Sequence, residues 1–440
     1  MNEHRTTPET LRSRITYLLL LFFVMSLPFD RFYSQVLLIC LVIHTMIHLR
    51  TERLRACLQP RVLVLQAVYF STMLATLYTA HRTVAFGFWE KQVAIFLFPL
   101  ILALNPVDRP GFSKPLLRAF AVMITALILY LYADAVQIIR FYRMPASTVL
   151  SGLFLSHQFS APLALHATYL SLFCALSILV LIDLLHERQR NVIVVLALAG
   201  IAILAMGLLQ LASKAVLIGL FLVLVFLVPH SFRDRGKRLA FVCLSILAFA
   251  GFALLVEKAG GLQDRIVSGL RTDLGNERPR YSIADPRAAR WRIAWQQVQK
   301  APVFGHGAGE ELILLRDGYF RKGLYDSYLN KLNAHNQYMS LLLKGGIPAL
   351  AAFLLTITYA FRHAWRQRSR WGAGLVVLLA VVSVSENILD VNKGIFFFSF
   401  FLSLLVLGEQ PAPGGVKGIK KPRSNHQKPG VVLTTSDLLP

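Results

Sequence analysis

The chain has 440 residues, of which 55% are hydrophobic and 16% are charged, with 46 Lys and Arg against 23 Asp and Glu. Because a soluble domain carries about 25% charged residues, this composition excludes an ordinary soluble protein and favours an integral membrane protein. The net charge of +23 does not predict a nucleic acid partner, since the basic residues form short clusters between apolar runs, as in the loops that orient a membrane protein.

Twelve apolar runs are candidates for membrane-spanning helices, each of which needs about 20 residues to cross the hydrocarbon core. They are 15–27, 33–47, 62–79, 93–104, 116–136, 163–184, 192–211, 215–228, 239–256, 347–361, 375–385 and 395–407. The first, fourth and eleventh are short for that task. The predicted fold class is all-α, a polytopic membrane protein of about twelve transmembrane helices.

Lys and Arg are concentrated in alternate connections between these runs, which predicts the orientation of the protein. The pattern begins with Arg12 and Arg14 and ends with Lys420 and Lys421, so both termini are expected in the cytoplasm. Residues 257–335, named here the outer segment, are the exception: they hold many arginines on the other side. Segments longer than about 60 residues largely escape the charge rule, so this one is expected outside.

The predicted organisation has four parts. Residues 1–256 form transmembrane helices one to nine, 257–335 form one large outer loop with short helices, and 336–407 form helices ten to twelve. Residues 408–440, rich in Pro, Gly and Lys, are expected to be a disordered cytoplasmic tail.

Within the outer segment, residues 286–300 have Trp291 and Trp295 at helical spacing, which predicts a helix in the membrane interface. Asp285 before a proline is a typical helix start. The glycines of 302–309 predict a loop that another backbone or a ligand approaches closely. A further helix is expected to begin after Asn336, which suits a cap, and to break at 345–348.

His335 stands where the outer segment meets an apolar run. An imidazole suits a general base near neutral pH. A histidine that only hydrogen-bonds at a helix end is the alternative, and spacing alone favours that alternative.

Cationic residues form a second candidate group. Arg265, Arg287, Arg290 and Arg292 lie in the outer segment, and Lys214 lies between two apolar runs. Guanidinium groups hold phosphate oxygens bidentately, although interfacial arginines also contact lipid phosphates without further function. Lys214 is a functional candidate, because an ionisable group among apolar residues is costly.

His166 and Tyr169 form a third candidate, one helical turn apart near the start of the sixth run; polar packing is an equally good interpretation. The sequence predicts no metal site. The outer segment has no Asp-x-Asp, HExxH or paired-histidine motif, and four scattered cysteines predict neither a disulfide framework nor zinc.

A family resemblance rests on the order and spacing of several motifs between His157 and Pro348. They are Arg287-x-x-x-Trp291, Pro302-x-x-Gly305-x-Gly307-x-Gly309, His335-Asn336-Gln337-Tyr338 and Gly345-Gly346-Ile347. This series resembles the signature region of the O-antigen ligase and polymerase superfamily, and His166-x-Thr-Tyr169 is similar to a stretch found in its ligases.

The resemblance implies an inner-membrane, GT-C-like glycosyltransferase that works on the periplasmic side without a metal or other cofactor. Its partners would be an undecaprenyl-diphosphate-linked glycan as donor, lipid A-core as acceptor, and membrane lipids. Such an O-antigen ligase inverts the transferred sugar during lipopolysaccharide biosynthesis.

Carried onto this chain, the resemblance makes His335 the base that deprotonates the acceptor hydroxyl, and Arg287 and Arg265 the residues that hold the diphosphate. The substrate-binding residues would be Lys214, Arg290, Asn336, Tyr338, His166 and Tyr169. One departure stands out: ligases have Ser-Arg where this chain has Ser213-Lys214, and lysine lacks the bidentate fork.

Three alternatives stay open. An O-antigen polymerase would use a second lipid-linked glycan as acceptor, and a protein O-oligosaccharyltransferase would use Ser or Thr. A lipid-linked glycan flippase would not be an enzyme at all; transporters more often have repeated halves with broken helices at mid-membrane.

Overall fold

The computed structural model describes residues 8–105, 107, 111–187, 189–275 and 285–408. Over this part the protein is all-α, a polytopic membrane protein. The predicted tail falls, from residue 409 onward, outside the described residues. The helices are α1 (Pro8–Ser26), α2 (Arg31–Ile47), α3 (Pro60–Thr76), α4 (Arg82–Leu104), α5 (Ser113–Phe141), α6 (His157–Ser160), α7 (Ala167–Leu185), α8 (Asn191–Leu211), α9 (Lys214–Leu222), α10 (Arg235–Lys258), α11 (Gly260–Gln263), α12 (Gly269–Leu274), α13 (Arg287–Val298), α14 (Glu311–Arg321), α15 (Tyr325–Leu329), α16 (Gln337–Arg366), α17 (Arg370–Val382) and α18 (Asn392–Leu407).

Eleven of the predicted membrane-spanning runs each lie largely within one of these helices. The run 215–228 instead covers α9 and part of the π-helical and 3-10 turns that follow it, which together with α9 form one span, Lys214–Ser231. Among the described residues, seven helices are long and apolar enough to cross a membrane, and α2, α17 and α18 are shorter apolar helices. Two runs that were short in the sequence belong to longer helices: α1 has 19 residues and α4 has 23. Polar residues within these helices, such as Glu90 and Lys91 of α4, interrupt the apolar runs, so the hydropathy pattern shows only part of each helix.

Phenylalanine rings join the spans in the middle of the bundle. The rings of Phe23 and Phe98 have centroids 4.7 Å apart, and those of Phe173 and Phe397 are 5.2 Å apart. These pairs link α1 to α4 and α7 to α18. Of the candidate spans, α7 is the most enclosed, with 83% of its apolar window buried, and α10 the least, with 11%. The apolar surface of α10 is therefore available to lipid.

One end of the bundle, named here the basic end, is held by arginine contacts between helix termini. At the start of α1, Nη2 of Arg12 donates to the carbonyl oxygen of Leu104 at the end of α4, at 3.0 Å. At the start of α17, Nη1 of Arg370 lies 2.7 Å from Asp183 of α7. The starts of α1 and α17 therefore lie beside the ends of α4 and α7 at this end of the bundle.

At the opposite end, named here the site end, helices α13 to α15 form a small unit above the spans. Ile293, Ala294 and Val298 of α13 pack with Leu315 and Tyr319 of α14. The interfacial helix expected at 286–300 is thus α13, two residues shorter at its C-terminal end. Its apolar side covers protein rather than lying flat on a membrane.

The predicted cap of α13 is wrong in detail. Asp285 does not cap the helix, which begins after Pro286 without a side-chain bond; instead its Oδ2 accepts a hydrogen bond from the backbone N–H of Ser327, at 2.7 Å. Pro286 suits the start of the helix, because its fixed φ is compatible with a helix entry and its missing N–H costs no hydrogen bond there.

The predicted break in α16 is present at Gly346, whose φ of 62° and ψ of −152° are not helical. The glycine loop 302–309 occupies the break. The backbone N–H groups of His306 and Gly307 donate to the carbonyl oxygens of Leu343 and Lys344, at 2.8 and 2.9 Å. A Cβ on Gly305 would stand 2.7 Å from the nitrogen of Gly346, so only glycine permits this backbone contact.

Candidate functional site

His335 precedes α16 with a φ of 46°, in the left-handed region that non-glycine residues seldom adopt. Its neighbour Asn336 fixes this turn from both sides. The Asn336 side chain caps α16 by accepting from the N–H of Met339, at 3.1 Å, and its own N–H donates to Oδ1 of Asn387, at 2.7 Å. Held in this way, the His335 ring is 26% exposed and reaches towards the loop before α18.

Glu386, in that loop, is the nearest charged group to His335. Nδ1 of His335 lies 3.4 Å from Oε2 of Glu386, which is an ion-pair distance and a long one for a hydrogen bond. Burial raises the pKa of Glu386, but the contact with His335 and the charge of Arg287 outweigh it and lower that pKa to about 2. Glu386 is therefore a carboxylate at every physiological pH.

Arg287, the first residue of α13, contacts the same loop. Its Nη1 donates to the carbonyl oxygen of Ser385 at 2.8 Å, and its Nη2 lies 3.6 Å from Oε1 of Glu386. Its Nε lies 3.5 Å from Oδ1 of Asp273. The guanidinium is thus fixed between two carboxylates, while its side chain remains 23% exposed.

Asp273 brings the other cations to the site. Its Oδ2 accepts from Nζ of Lys214 at 2.6 Å, and Lys214 is the first residue of α9. Arg265 is exposed and lies close enough to Asp273, Arg287 and Glu386 to interact with their charges. Three predicted cations from distant parts of the chain therefore converge beside His335.

His166 joins the cluster from the start of α7. Its Nδ1 accepts from the N–H of Thr168 at 3.3 Å, and its ring lies 4.3 Å from that of His157. Desolvation lowers the pKa of His157 to about 4 and, despite the opposing charge of Glu386, lowers the pKa of His166 as well. Both imidazoles are therefore neutral near pH 7 and able to donate and accept hydrogen bonds.

Three of the predicted site residues lie at the margin of this cluster. Tyr169 is 3% exposed and packs its ring against the backbone of Gly394. Tyr338 donates its hydroxyl to the carbonyl oxygen of Ala380 at 2.8 Å and stacks edge-on against Phe353. Arg290 is 5% exposed, and its Nε and Nη1 find no partner among the described residues. Of these two arginines, Arg287 and not Arg290 is therefore the one whose guanidinium group is accessible from the site.

A buried ion network lies beneath His335. Nζ of Lys344 lies 3.0 Å from Oε2 of Glu311 and 2.7 Å from Oδ1 of Asp390. Glu311 also accepts from the N–H of Ala334, next to His335, at 3.2 Å, and Asn387 donates to Asp390 at 2.9 Å. The network joins α14, α16 and the loop before α18, and so fixes both partners of the His335–Glu386 pair.

Sequence reasoning did not identify Asp273, His157 or Glu386 as site residues. Asp273 and Glu386 lie in no recognisable motif and become significant only through the cations that they meet. The sequence did contain an indication for His157, since this histidine lies in the polar stretch before His166. Over the part of the chain that the structure describes, no three His, Cys, Asp or Glu residues are grouped as a metal site would require.

The arrangement has two chemically distinct walls. On one side, His335 has a fixed carboxylate partner, so it can accept a proton and be stabilised as an imidazolium. On the other, Lys214, Arg265 and Arg287 present positive charge that Asp273 and Glu386 only partly balance. A phosphorylated substrate with a hydroxyl to be deprotonated would meet both walls at once.

A comparison with known protein families matches the middle of the chain. Residues 199–354 match the family model described as O-antigen ligase. The match runs from α8 into α16 and includes Lys214, Arg265, Arg287 and His335, whereas Glu386 and the histidines before α7 lie outside it. No curated protein matches the chain.

Proposed function

The chain belongs to the O-antigen ligase superfamily, and from this premise we propose that it is a ligase that transfers a glycan from undecaprenyl diphosphate to the outer sugar of lipid A-core. The observation that supports this most is the convergence of one histidine with three cations at one end of the spans. In this proposal the protein is an inverting glycosyltransferase of the bacterial inner membrane. Its termini are cytoplasmic and its site faces the periplasm.

His335 acts as the base. The acceptor hydroxyl loses its proton to the imidazole as its oxygen attacks the anomeric carbon of the donor, and a positioned base contributes roughly 10²–10⁴-fold to such a step. Glu386 stabilises the imidazolium that forms, because an ionised carboxylate at 3.4 Å favours the charged ring.

The cations act on the leaving group. As the new bond forms, the bond from the anomeric carbon to the diphosphate oxygen breaks, and the lipid diphosphate departs with the electron pair. Attack from the face opposite the diphosphate inverts the anomeric centre. Arg287, Arg265 and Lys214 stabilise the developing charge, and one preorganised contact of this kind is worth about 3 kcal/mol in a sheltered site.

Lys214 fits this role although the family has an arginine there. Its Nζ contacts Asp273, which also faces Arg287, so the carboxylate aligns two cations towards the same position. A diphosphate that enters the site would replace this carboxylate as their partner. A lysine suffices for such a contact, since a point charge needs no fork geometry.

The two neutral imidazoles of His157 and His166 belong to the sugar-binding part of the site. Sugars present hydroxyl groups that both donate and accept hydrogen bonds, and a neutral imidazole offers one donor and one acceptor. Arg290, Asn336, Tyr338 and Tyr169 remain proposed contributors to substrate binding. Their observed contacts favour an indirect role, in which they position the residues that face the substrate.

The decisive experiment is transfer in vitro by the purified protein, with undecaprenyl-diphosphate glycan, lipid A-core and a chelator. Glycosylated lipid A-core is the expected product. A lengthened lipid-linked glycan would identify a polymerase, and a glycosylated protein acceptor would identify an oligosaccharyltransferase. Movement of the lipid-linked glycan across vesicles without any transfer would replace the enzyme proposal by a flippase.

A further inference from the structure

A cavity lies at the basic end of the bundle, far from His335. Its volume is about 660 Å³. It is framed by two turns, one between α9 and α10 and the other between α16 and α17. Because α16 runs from the site to this cavity in 30 residues, and a helix rises about 1.5 Å per residue, the two places are separated by nearly the whole height of the bundle.

The lining of this cavity is strongly cationic. It includes Arg233, Arg238, Arg368 and Arg370, and no carboxylate is among its lining residues in the described part of the chain. Two acids next to the lining already have partners. Asp234 caps α10 by accepting from the N–H of Lys237 at 2.8 Å, and Asp183 accepts from Nη1 of Arg370. Arg370 is therefore paired, whereas no carboxylate among the lining residues balances the charge of Arg233, Arg238 and Arg368.

Backbone geometry adds to the positive potential. Arg370 begins α17, whose 13 residues direct the positive end of a helix dipole to the cavity rim. Its Nε is buried and has no hydrogen-bond partner among the residues described. A buried donor without a partner is uncommon, and an anion within the cavity would satisfy it.

The remaining wall is apolar. Leu227, Trp365 and Ala373 line the cavity beside the arginines, and Trp365 is 53% exposed. Exposed tryptophan is typical of the boundary between headgroups and acyl chains. A ligand for this cavity is thus expected to be amphiphilic, with an anionic head for the arginines and an apolar part for the wall.

We propose that this cavity binds the phosphate headgroup of an anionic phospholipid, from the membrane leaflet that faces the basic end. Basic pockets between transmembrane helices recognise such headgroups. The site is separate from the proposed transfer site, and it stands whether or not the protein is a ligase. Its expected role is to hold the ends of α9, α10, α16 and α17 together.

The test is a lipid titration of the full-length purified protein by native mass spectrometry, with phosphatidylglycerol as probe. The cavity variant carries Arg233→Gln, Arg238→Gln and Arg368→Gln, which are exposed side chains whose change leaves the Arg370–Asp183 pair intact. The control variant carries Arg55→Gln, Arg235→Gln and Arg362→Gln, which remove the same charge from exposed positions outside the lining. Thermal unfolding verifies that both variants are folded.

We expect the first phosphatidylglycerol to bind the cavity variant at least about tenfold more weakly than the wild type, because three cations near the headgroup are lost. The control variant should bind as the wild type does. Equal binding by the wild type and the cavity variant would overturn the site, as would an equal loss in the control.

Two further arms identify the ligand. Phosphatidylcholine that binds as tightly as phosphatidylglycerol would refute the requirement for an anion. Inorganic phosphate at millimolar concentration that displaces phosphatidylglycerol would show that the cavity takes free phosphate, and would refute the lipid. Failure of phosphate to compete is the expected result.

Discussion

Nδ1 of His335 and Oε2 of Glu386 lie 3.4 Å apart, although one residue precedes α16 and the other follows α17. The carboxylate side chain is 11% exposed and largely buried, whereas the imidazole side chain is 26% exposed and accessible. A carboxylate behind an imidazole orients the ring and stabilises its charged form. The two residues therefore form one unit, and they should be tested together.

Substitution of His335 by alanine should abolish transfer while leaving the fold and donor binding intact, since the ring contributes the proton acceptor and little packing. Glu386→Gln should lower kcat roughly 10-fold to 100-fold, because the imidazolium loses an electrostatic contact. If the two roles are coupled, Glu386→Gln has no further effect in the His335→Ala background. Transfer assays with equal amounts of folded protein measure all three variants, and retained activity in His335→Ala would refute the base assignment.

The acidity of Glu386 predicts how stability depends on pH. Because the pKa of Glu386 is lowered to about 2 from an unfolded value of about 4.3, its ionised form contributes stability that is complete above the unfolded pKa and is lost as pH falls through the folded one. The difference in unfolding temperature between the wild type and Glu386→Gln should thus still be present at pH 5.5 and be lost only as the pH falls from about 4.3 towards 2. A difference that is already lost at pH 5.5 would show that the carboxylate titrates there.

Arg287 contacts a backbone oxygen and two carboxylates at once, which a lysine cannot reproduce. We expect Arg287→Ala to weaken donor binding more than Arg287→Lys, because lysine keeps the charge but loses the fork. Arg321→Ala, on an exposed helix end away from the site, serves as the control and should have no effect. Equal losses in the two Arg287 variants would indicate that the bidentate geometry, and not the charge, is essential.

Lys344 is the buried centre of the ion network, with 8% of its side chain exposed between Glu311 and Asp390. Replacement by methionine leaves two buried carboxylates without their cation, which should cost about 3–5 kcal/mol. Thermal unfolding should show a lower midpoint, and adding Glu311→Gln and Asp390→Asn should recover part of the loss. Lys300→Met, at an exposed position, should change the midpoint little. A midpoint unchanged by Lys344→Met would contradict the network.

Gly346 adopts a backbone conformation that is essentially restricted to glycine. In Gly346→Ala, the backbone alone should cost about 1–3 kcal/mol, and the added Cβ would also meet the backbone oxygen of Val303. Gly87→Ala is the matched control, because a Cβ there meets nothing within 4 Å and alanine favours a helix. The unfolding midpoint should fall in Gly346→Ala, and it should stay the same or rise in Gly87→Ala.

Hydropathy identified the helices because the membrane requires an apolar stretch of similar length from each span, independently of the helices that pack against it. The same rule placed the starts of α1 and α4 too late, since polar residues interrupt an apolar run without ending a helix. The break in α16 was also readable, because Gly345, Gly346 and Pro348 restrict the backbone locally. These are properties of short stretches, and a single sequence contains them.

The partners within the site are a different matter. Lys214, Arg287 and His335 could be selected from the sequence, because each is either a costly ionisable group among apolar residues or chemically distinctive at its position. The carboxylates that contact them lie in stretches without a recognisable motif. Asp273 and Glu386 meet their partners only after α9, α13 and α17 have packed. Tyr338 shows a further limit: the family resemblance implies substrate binding, and the contact of its hydroxyl with the carbonyl oxygen of Ala380 in α17 could not be predicted from a single sequence.

The bonds between the glycine loop and the break in α16 have a mechanical consequence. They fix α16 at residues 343–346, the same turn that the Lys344 network joins to α14 and to the loop before α18. Arg265 lies instead in a π-helical turn without a buried residue of its own, in a part of the outer segment anchored by Leu262. In the proposed transfer reaction, adjustment to a large substrate is therefore expected from the Arg265 wall, with His335 as the fixed point against which the reacting sugar is aligned.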